Sequence, residues 1–183
     1  MTTVLGIDPS LTCTGLAIVT NGLLTDSGVI HGGDRRGAER LAHIYDGVTE
    51  WLQRLPDLDD SVVVEGYAFG SKFQREAMGE VGGVVRLCVY RHGRSYSEIA
   101  PSSWQTQLLG RPVEKKLRGV QLMQRYADVA NGTTFDTYDA LEAFAIAFAG
   151  WQRAEGLYAP PPKKKPRRKT GGLDTTELLT NSA

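Results

Sequence analysis

Four carboxylates stand where a folded chain could gather them. Asp8 follows the apolar run Val4-Leu5-Gly6-Ile7, Glu65 ends the run Val62-Val63-Val64, and Asp136 and Asp139 lie three apart at the start of a helical stretch. Residues three apart on a helix share a face. Brought within a few ångströms, four such groups repel, and some stay protonated unless a cation intervenes. Hard oxygen ligands of this kind suit Mg²⁺ or Mn²⁺. Two such ions about 4 Å apart clamp the attacking and leaving oxygens of an in-line phosphodiester displacement and acidify a bound water. The chemistry to expect is that of a nuclease. Taken singly, each acid also has an ordinary role as a turn, cap or first-turn residue that complements the helix dipole. Their conjunction carries the expectation, because an unpaired acid closing a run of three valines would be costly to bury.

The elements that must position these groups are legible in outline. Val4–Ile7, Gly15–Thr20 and Leu23–Ile30 read as three strands. Asn21-Gly22 joins the last two with the preferred residues of a two-residue type I′ turn. Between 38 and 55 the apolar residues Leu41, Ile44, Val48, Trp51, Leu52 and Leu55 follow helical spacing, and Pro56 stops the helix. The apolar Val62–Val64 suits a central strand covered on both faces. A helix over about 75–90, a strand over 96–99, a short helix opened by Pro101 and a helix over 114–127 follow. The final helix starts near Asp136 and is apolar almost all round, so it lies against the sheet or a partner subunit. If the first and fourth strands are adjacent and parallel, Asp8 and Glu65 emerge side by side at their C-terminal ends, where α/β sheets place their sites.

Length and composition bound the rest. A chain of 183 residues has room for one ordinary domain. Its 41% hydrophobic and 23% charged residues argue against a collagen, a disordered chain or a disulfide-stapled miniprotein. No N-terminal signal pattern and no apolar run near 20 residues is present, so neither export nor a membrane span is expected. Cys13 and Cys88 lack metal-site spacing and suit a reduced, cytoplasmic compartment. The zero net charge hides a division: residues 1–65 carry four basic against ten acidic side chains, and residues 86–125 carry eight basic against two acidic. After Pro160-Pro161-Pro162 comes Lys163-Lys164-Lys165-Pro166-Arg167-Arg168-Lys169. Residues 1–158 therefore read as the folded domain, and 159–183 as a disordered basic tail. The tail reads equally as a phosphate-binding arm or as a nuclear-import signal. His31, His43 and His92 are scattered singly and receive no role.

Three blocks carry a family likeness. Gly6-Ile7-Asp8-Pro9-Ser10 with Thr14-Gly15, Val63-Val64-Glu65, and Asp136-Thr137-Tyr138-Asp139-Ala140 resemble the active-site blocks of RuvC-type Holliday junction resolvases. The likeness covers residues 4 to about 150. It implies an α/β, RNase H-like fold with a five-stranded mixed sheet flanked by helices. It also implies a homodimer and Mg²⁺-dependent paired nicking of four-way DNA junctions, with two ions per site and Mn²⁺ as a substitute. Asp8, Glu65, Asp136 and Asp139 would then be metal ligands, with Asp8 bridging both ions. Such enzymes also use a lysine before the penultimate helix, and both Lys115 and Lys116 fit that place. Tyr67, Phe69 and Phe73, interleaved with Lys72 and Arg75, follow Glu65 where the family carries an aromatic that stacks at the opened junction; core packing is the competing reading. A stacked base would contribute about 1–3 kcal/mol. Further phosphate contacts would come from Arg111, Lys115, Lys116 and Arg118. Ser10 stands where the family often has glycine, and the segment after Glu65 aligns only with a gap, so cut-site preference does not carry over. The tail has no counterpart in the compact bacterial enzymes, and a phage or viral branch of the family fits equally well.

Three other functions compete. The same fold could cut RNA or an RNA–DNA hybrid. A junction-binding protein without catalysis would bind steeply less at higher salt and give no Mg²⁺-dependent product. An actin-like ATPase shares the first block, but its architecture needs two such domains, and one fits here.

Overall fold

The computed structural model describes residues 1–59, 61–66 and 75–159, with side chains in the last segment from Met78 onward. Among the described residues, five strands and five helices follow in the order β1 (Thr3–Asp8), β2 (Cys13–Thr20), β3 (Leu23–His31), α1 (Gly37–Leu52), β4 (Ser61–Glu65), α2 (Arg75–Arg91), β5 (Tyr96–Ile99), α3 (Pro101–Leu109), α4 (Lys115–Tyr126) and α5 (Tyr138–Ala154). The sheet runs β3-β2-β1-β4-β5. β1 pairs antiparallel with β2 and parallel with β4, β2 pairs antiparallel with β3, and β4 pairs parallel with β5. This is the five-stranded mixed sheet expected from the blocks, with β1 at its centre.

The turn between β2 and β3 adopts the expected geometry, with φ of 50° at Asn21 and 82° at Gly22. Helix α1 ends at Leu52, one turn before the expected stop at Pro56. The buried guanidinium of Arg94 donates to the carbonyls of Leu52 and Leu55 at 3.3 Å each and of Asp57 at 2.5 Å. That cation holds the chain beyond α1 in a non-helical path toward β4.

Both faces of the sheet are covered, which explains the unbroken apolar strands. Leu5, Ile7, Val62 and Val64 pack with Ile44, Val48, Trp51 and Val85 on the α1/α2 face. Val4, Ala17, Val19 and Val63 pack with Trp104, Phe144 and Phe148 on the α3/α4/α5 face. Strand alternation then fixes where the acids point. Asp8 shares parity with Val4, and Glu65 with Val63, so both face the side that α5 covers. No helix among the described residues is long and apolar enough to cross a membrane.

Candidate active site

The ladder places the first two acids together. Ile7 lies opposite Val64 in the parallel β1–β4 pair, so the next step of the register sets Asp8 beside Glu65. Asp8 is 7% exposed. The two carboxyls share a hydrogen bond. Burial first, and then the charge of Glu65, push the Asp8 pKa well above the ordinary carboxylate range. Burial also raises Glu65, against a 2.7 Å hydrogen bond donated by Trp104 Nε1 to Glu65 Oε1 that favours its ionised form. Burial and mutual repulsion thus oppose the simultaneous ionisation of the two carboxyls, a conflict that a small hard cation would relieve.

Asp139 arrives on α5, and glycine makes the approach possible. Gly15, the ladder partner of Asp8, lies directly under the helix: a Cβ there would sit 2.0 Å from the Asp139 carbonyl oxygen. At Gly6 a Cβ would lie 2.4 Å from the Ala143 oxygen and the Ala147 nitrogen. Two bare positions on neighbouring strands therefore let the α5 backbone rest on the sheet, which brings the Asp139 charge within reach of Asp8. Cys13, at the start of β2, completes this corner. Burial, followed by the charge of Asp139 and a hydrogen bond to it, pushes its thiol pKa up to about 11. At neutral pH it is a protonated thiol, so the ligands on offer are hard oxygens.

Asp136 departs from expectation. Thr137 is the N-cap of α5, and its Oγ1 accepts from the Ala140 N–H at 3.1 Å. Asp136 thus precedes the helix, is exposed, and does not share a helical face with Asp139. None of the contacts found among the described residues joins it to the other three acids. The residue that does share that face is Glu142, three positions after Asp139, 6% exposed and ion-paired to Arg118. Its charge raises both Asp8 and Glu65. In the sequence Glu142 interrupts an otherwise apolar stretch, and its three-residue spacing from Asp139 was a usable signal. Trp104 carried no local signal at all.

The basic residues divide. Lys115 and Lys116 are exposed at the start of α4. The Lys115 ammonium lies 5.4 Å from the ring centroid of Tyr138, whose hydroxyl donates to the Lys115 carbonyl and accepts from the Gly119 N–H at 2.8 Å. Lys115 is thereby held against the residue next to Asp139. Arg111 is exposed. Arg118 is turned inward, onto Glu142 and the Val113 carbonyl. Tyr67, Phe69, Lys72 and Phe73 lie outside the described residues, as does the side chain of Arg75.

Among the described residues no three His, Cys, Asp or Glu side chains converge as a finished metal cage. The donor set nevertheless fits a divalent ion: a buried Asp8 and half-buried Glu65 and Asp139, whose mutual repulsion a cation would relieve. This has a consequence for stability. Raised folded pKa values mean that the contribution of these groups is fully present below the unfolded carboxylate range and is lost as pH rises through the folded values. In excess chelator, Asp8→Asn should therefore gain stability relative to wild type as pH rises from about 4 toward 8. Melting curves of the two proteins across that range measure it, and parallel curves would contradict it.

A central β1 flanked by antiparallel β2–β3 and parallel β4–β5, with helices on both faces and carboxylates at the β1/β4 ends, defines an RNase H-like protein. The profile of the family described as crossover junction endodeoxyribonuclease RuvC matches residues 4–149. The chain belongs to that family. A relative from Gloeobacter violaceus, named crossover junction endodeoxyribonuclease RuvC, is 28% identical over 155 residues, covering 81% of this chain and 87% of its own. The solved structure of Thermus thermophilus RuvC superposes with a TM-score of 0.69 at 22% identity, covering 87% of this chain and 99% of that one. The same T. thermophilus protein in complex with Holliday junction substrate superposes at 0.66, with 20% identity and 88% and 100% coverage. Membership implies divalent-metal dependence, in keeping with the carboxylates.

Proposed function

We propose that the protein is a homodimeric, Mg²⁺-dependent endonuclease that resolves four-way DNA junctions by paired nicks. The observation that carries this reading is the pairing of buried Asp8 with half-buried Glu65, with Asp139 brought toward them by α5, on a RuvC-family fold. Asp8, Glu65 and Asp139 would hold the ions, with Asp136 joining from the segment ahead of the α5 cap. When bound, the ions supply a water nucleophile at neutral pH and neutralise charge on the phosphate.

The chain's own residues do the rest. Trp104 fixes the rotamer of Glu65 through its indole N–H, so one oxygen stays aimed at the cluster. Exclusion of water around Asp8 strengthens every interaction with the reacting phosphate. Lys115, steadied over Tyr138, would offset negative charge developing on phosphate oxygens, with the exposed Lys116 and Arg111 as contacts to the backbone of the arms. Leu87 and Tyr90 on α2 are 50% and 75% exposed, an apolar face that a second subunit would cover. Tyr67, Phe69, Lys72, Phe73 and Arg75 would meet the junction centre, and the basic run after Pro160 would add phosphate contacts that weaken with salt.

The test is a panel of labelled four-way, three-way, flap and linear DNAs and an RNA–DNA hybrid, incubated with the protein and Mg²⁺. Symmetric paired nicks about the four-way crossover, with 5′-phosphate and 3′-hydroxyl ends, are expected. Preferential cutting of the hybrid, or binding with no Mg²⁺-dependent product, would replace this reading.

A further inference from the structure

Arg118 is the cation in a buried network that no local sequence pattern announces. Its side chain is 16% exposed and that of Glu142 8%. Nη1 binds Glu142 Oε1, and Nε and Nη2 both point at the Val113 carbonyl, at 3.4 and 3.3 Å. The guanidinium carbon lies 5.4 Å from the Trp104 ring centroid, and the same indole donates to Glu65. One side chain therefore joins the loop ahead of α4, helix α5 and the indole that orients a carboxylate of the site. Its positive charge also favours the ionised form of Glu65, while Glu142 acts in the opposite sense on both Glu65 and Asp8.

Glu142 would otherwise be a problem. It adds a negative charge to a buried corner that already holds Asp8, Glu65 and Asp139, and an unpaired buried carboxylate is strongly unfavourable. Paired with Arg118, it contributes almost no net charge. The pair also fixes Val113, two residues ahead of Lys115, so the charge balance and the placement of the lysines depend on the same guanidinium.

We propose that Arg118 is a positioning residue of the metal centre: by ion-pairing Glu142 it sets the net charge seen by the bound ions and fastens the lysine-bearing start of α4 to the carboxylates. This rests on the metal-dependent reading given above. The two halves of the pair then act on the site with opposite sign. Removing the cation leaves Glu142 as an extra negative charge facing the ions, and removing the carboxylate leaves Arg118 as a positive one.

The experiment is Mn²⁺ binding to the full chain without DNA, followed by the electron paramagnetic resonance of free Mn²⁺ and by calorimetry. Arg118→Met should bind Mn²⁺ about tenfold more tightly than wild type, and Glu142→Gln about tenfold more weakly. The double variant should return close to wild type, and so should Arg118→Lys, which keeps the charge and loses the fork that grips Val113. Circular dichroism at the titration temperature identifies folded variants; if Arg118→Met does not fold, the opposed shifts are read from Glu142→Gln against Glu142→Gln with Arg118→Lys and Glu142→Gln with Arg118→Gln, of which the last should recover the affinity. Single-turnover nicking at saturating Mn²⁺ adds the positioning half, with Arg118→Lys slower than wild type at unchanged junction affinity. A purely structural pair would shift Mn²⁺ affinity in the same direction in every variant, or leave it unmoved, and either result overturns the inference. Failure of the wild-type protein to bind Mn²⁺ would instead overturn the metal-dependent reading itself.

Discussion

Asp8→Asn should abolish nicking of a four-way junction while leaving junction binding intact. The amide is nearly isosteric with the carboxylate, so the β1–β4 ladder and the packing under α5 are preserved. What disappears is the negative oxygen at the centre of the cluster, flanked by Glu65 on one side and by Asp139 over Gly15 on the other. Loss of about 4 kcal/mol of transition-state stabilisation corresponds to a rate lower by roughly a thousandfold. Single-turnover cleavage and gel-shift affinity, measured on one preparation, separate the two effects. The variant should also be at least as stable as wild type in chelator, because it removes a carboxylate whose ionisation burial opposes. Cleavage at the wild-type rate by pure Asp8→Asn protein would remove Asp8 from the mechanism.

Gly15→Ala should be nearly as damaging to catalysis, for a steric reason. The new methyl would lie 2.0 Å from the Asp139 carbonyl oxygen and 2.5 Å from its carbon, both backbone atoms that cannot swing aside. The start of α5 must lift from the sheet, and Asp139 moves with it. Overpacking of this kind costs about 1–3 kcal/mol of stability, and a ligand displaced by about an ångström costs about a hundredfold in rate. Gly79→Ala is the comparison: a Cβ there meets nothing within 4 Å, and α2 should gain up to about 1 kcal/mol from helix propensity. Thermal melts and cleavage rates of the two variants give the contrast, and equal activities would show that the close approach of α5 does not position the site.

These effects come from parts of the molecule that were unequally legible in the sequence. Short apolar runs, Asn21-Gly22 and the uninterrupted valines before Glu65 report local geometry, and they placed β1 to β4 to within two residues. Asp8 and Glu65 were legible because a charged residue closing a buried strand has few structural reasons to be there. The start of α5 was read two residues early, at Asp136: Thr137, with a hydroxyl able to accept an N–H three residues on, is the better cap, which leaves Asp136 in the segment ahead of the helix. Glu142 and Arg118 lie 24 residues apart and find each other only after α4 docks against α5. Arg118 consequently read as a surface contact for phosphate when its guanidinium is committed inside the fold. Trp104 shows the same limit, since its partner Glu65 is 39 residues away. Pairings of this sort belong to tertiary packing, and neither periodicity nor composition encodes them. The end of α1 failed for a related reason, because Arg94 reaches back across 39 and 42 residues to take the carbonyls of Leu55 and Leu52.

The carboxylates of β1, β4 and α5 are held to form one divalent-ion site, and anomalous diffraction from crystals of the protein grown or soaked with Mn²⁺ tests that directly. Density at the Mn²⁺ edge should appear among Asp8, Glu65 and Asp139, with oxygens at about 2.2 Å and the Asp8–Glu65 hydrogen bond gone. Saturating Mn²⁺ with no anomalous peak at these side chains, or peaks only elsewhere on the surface, would contradict it.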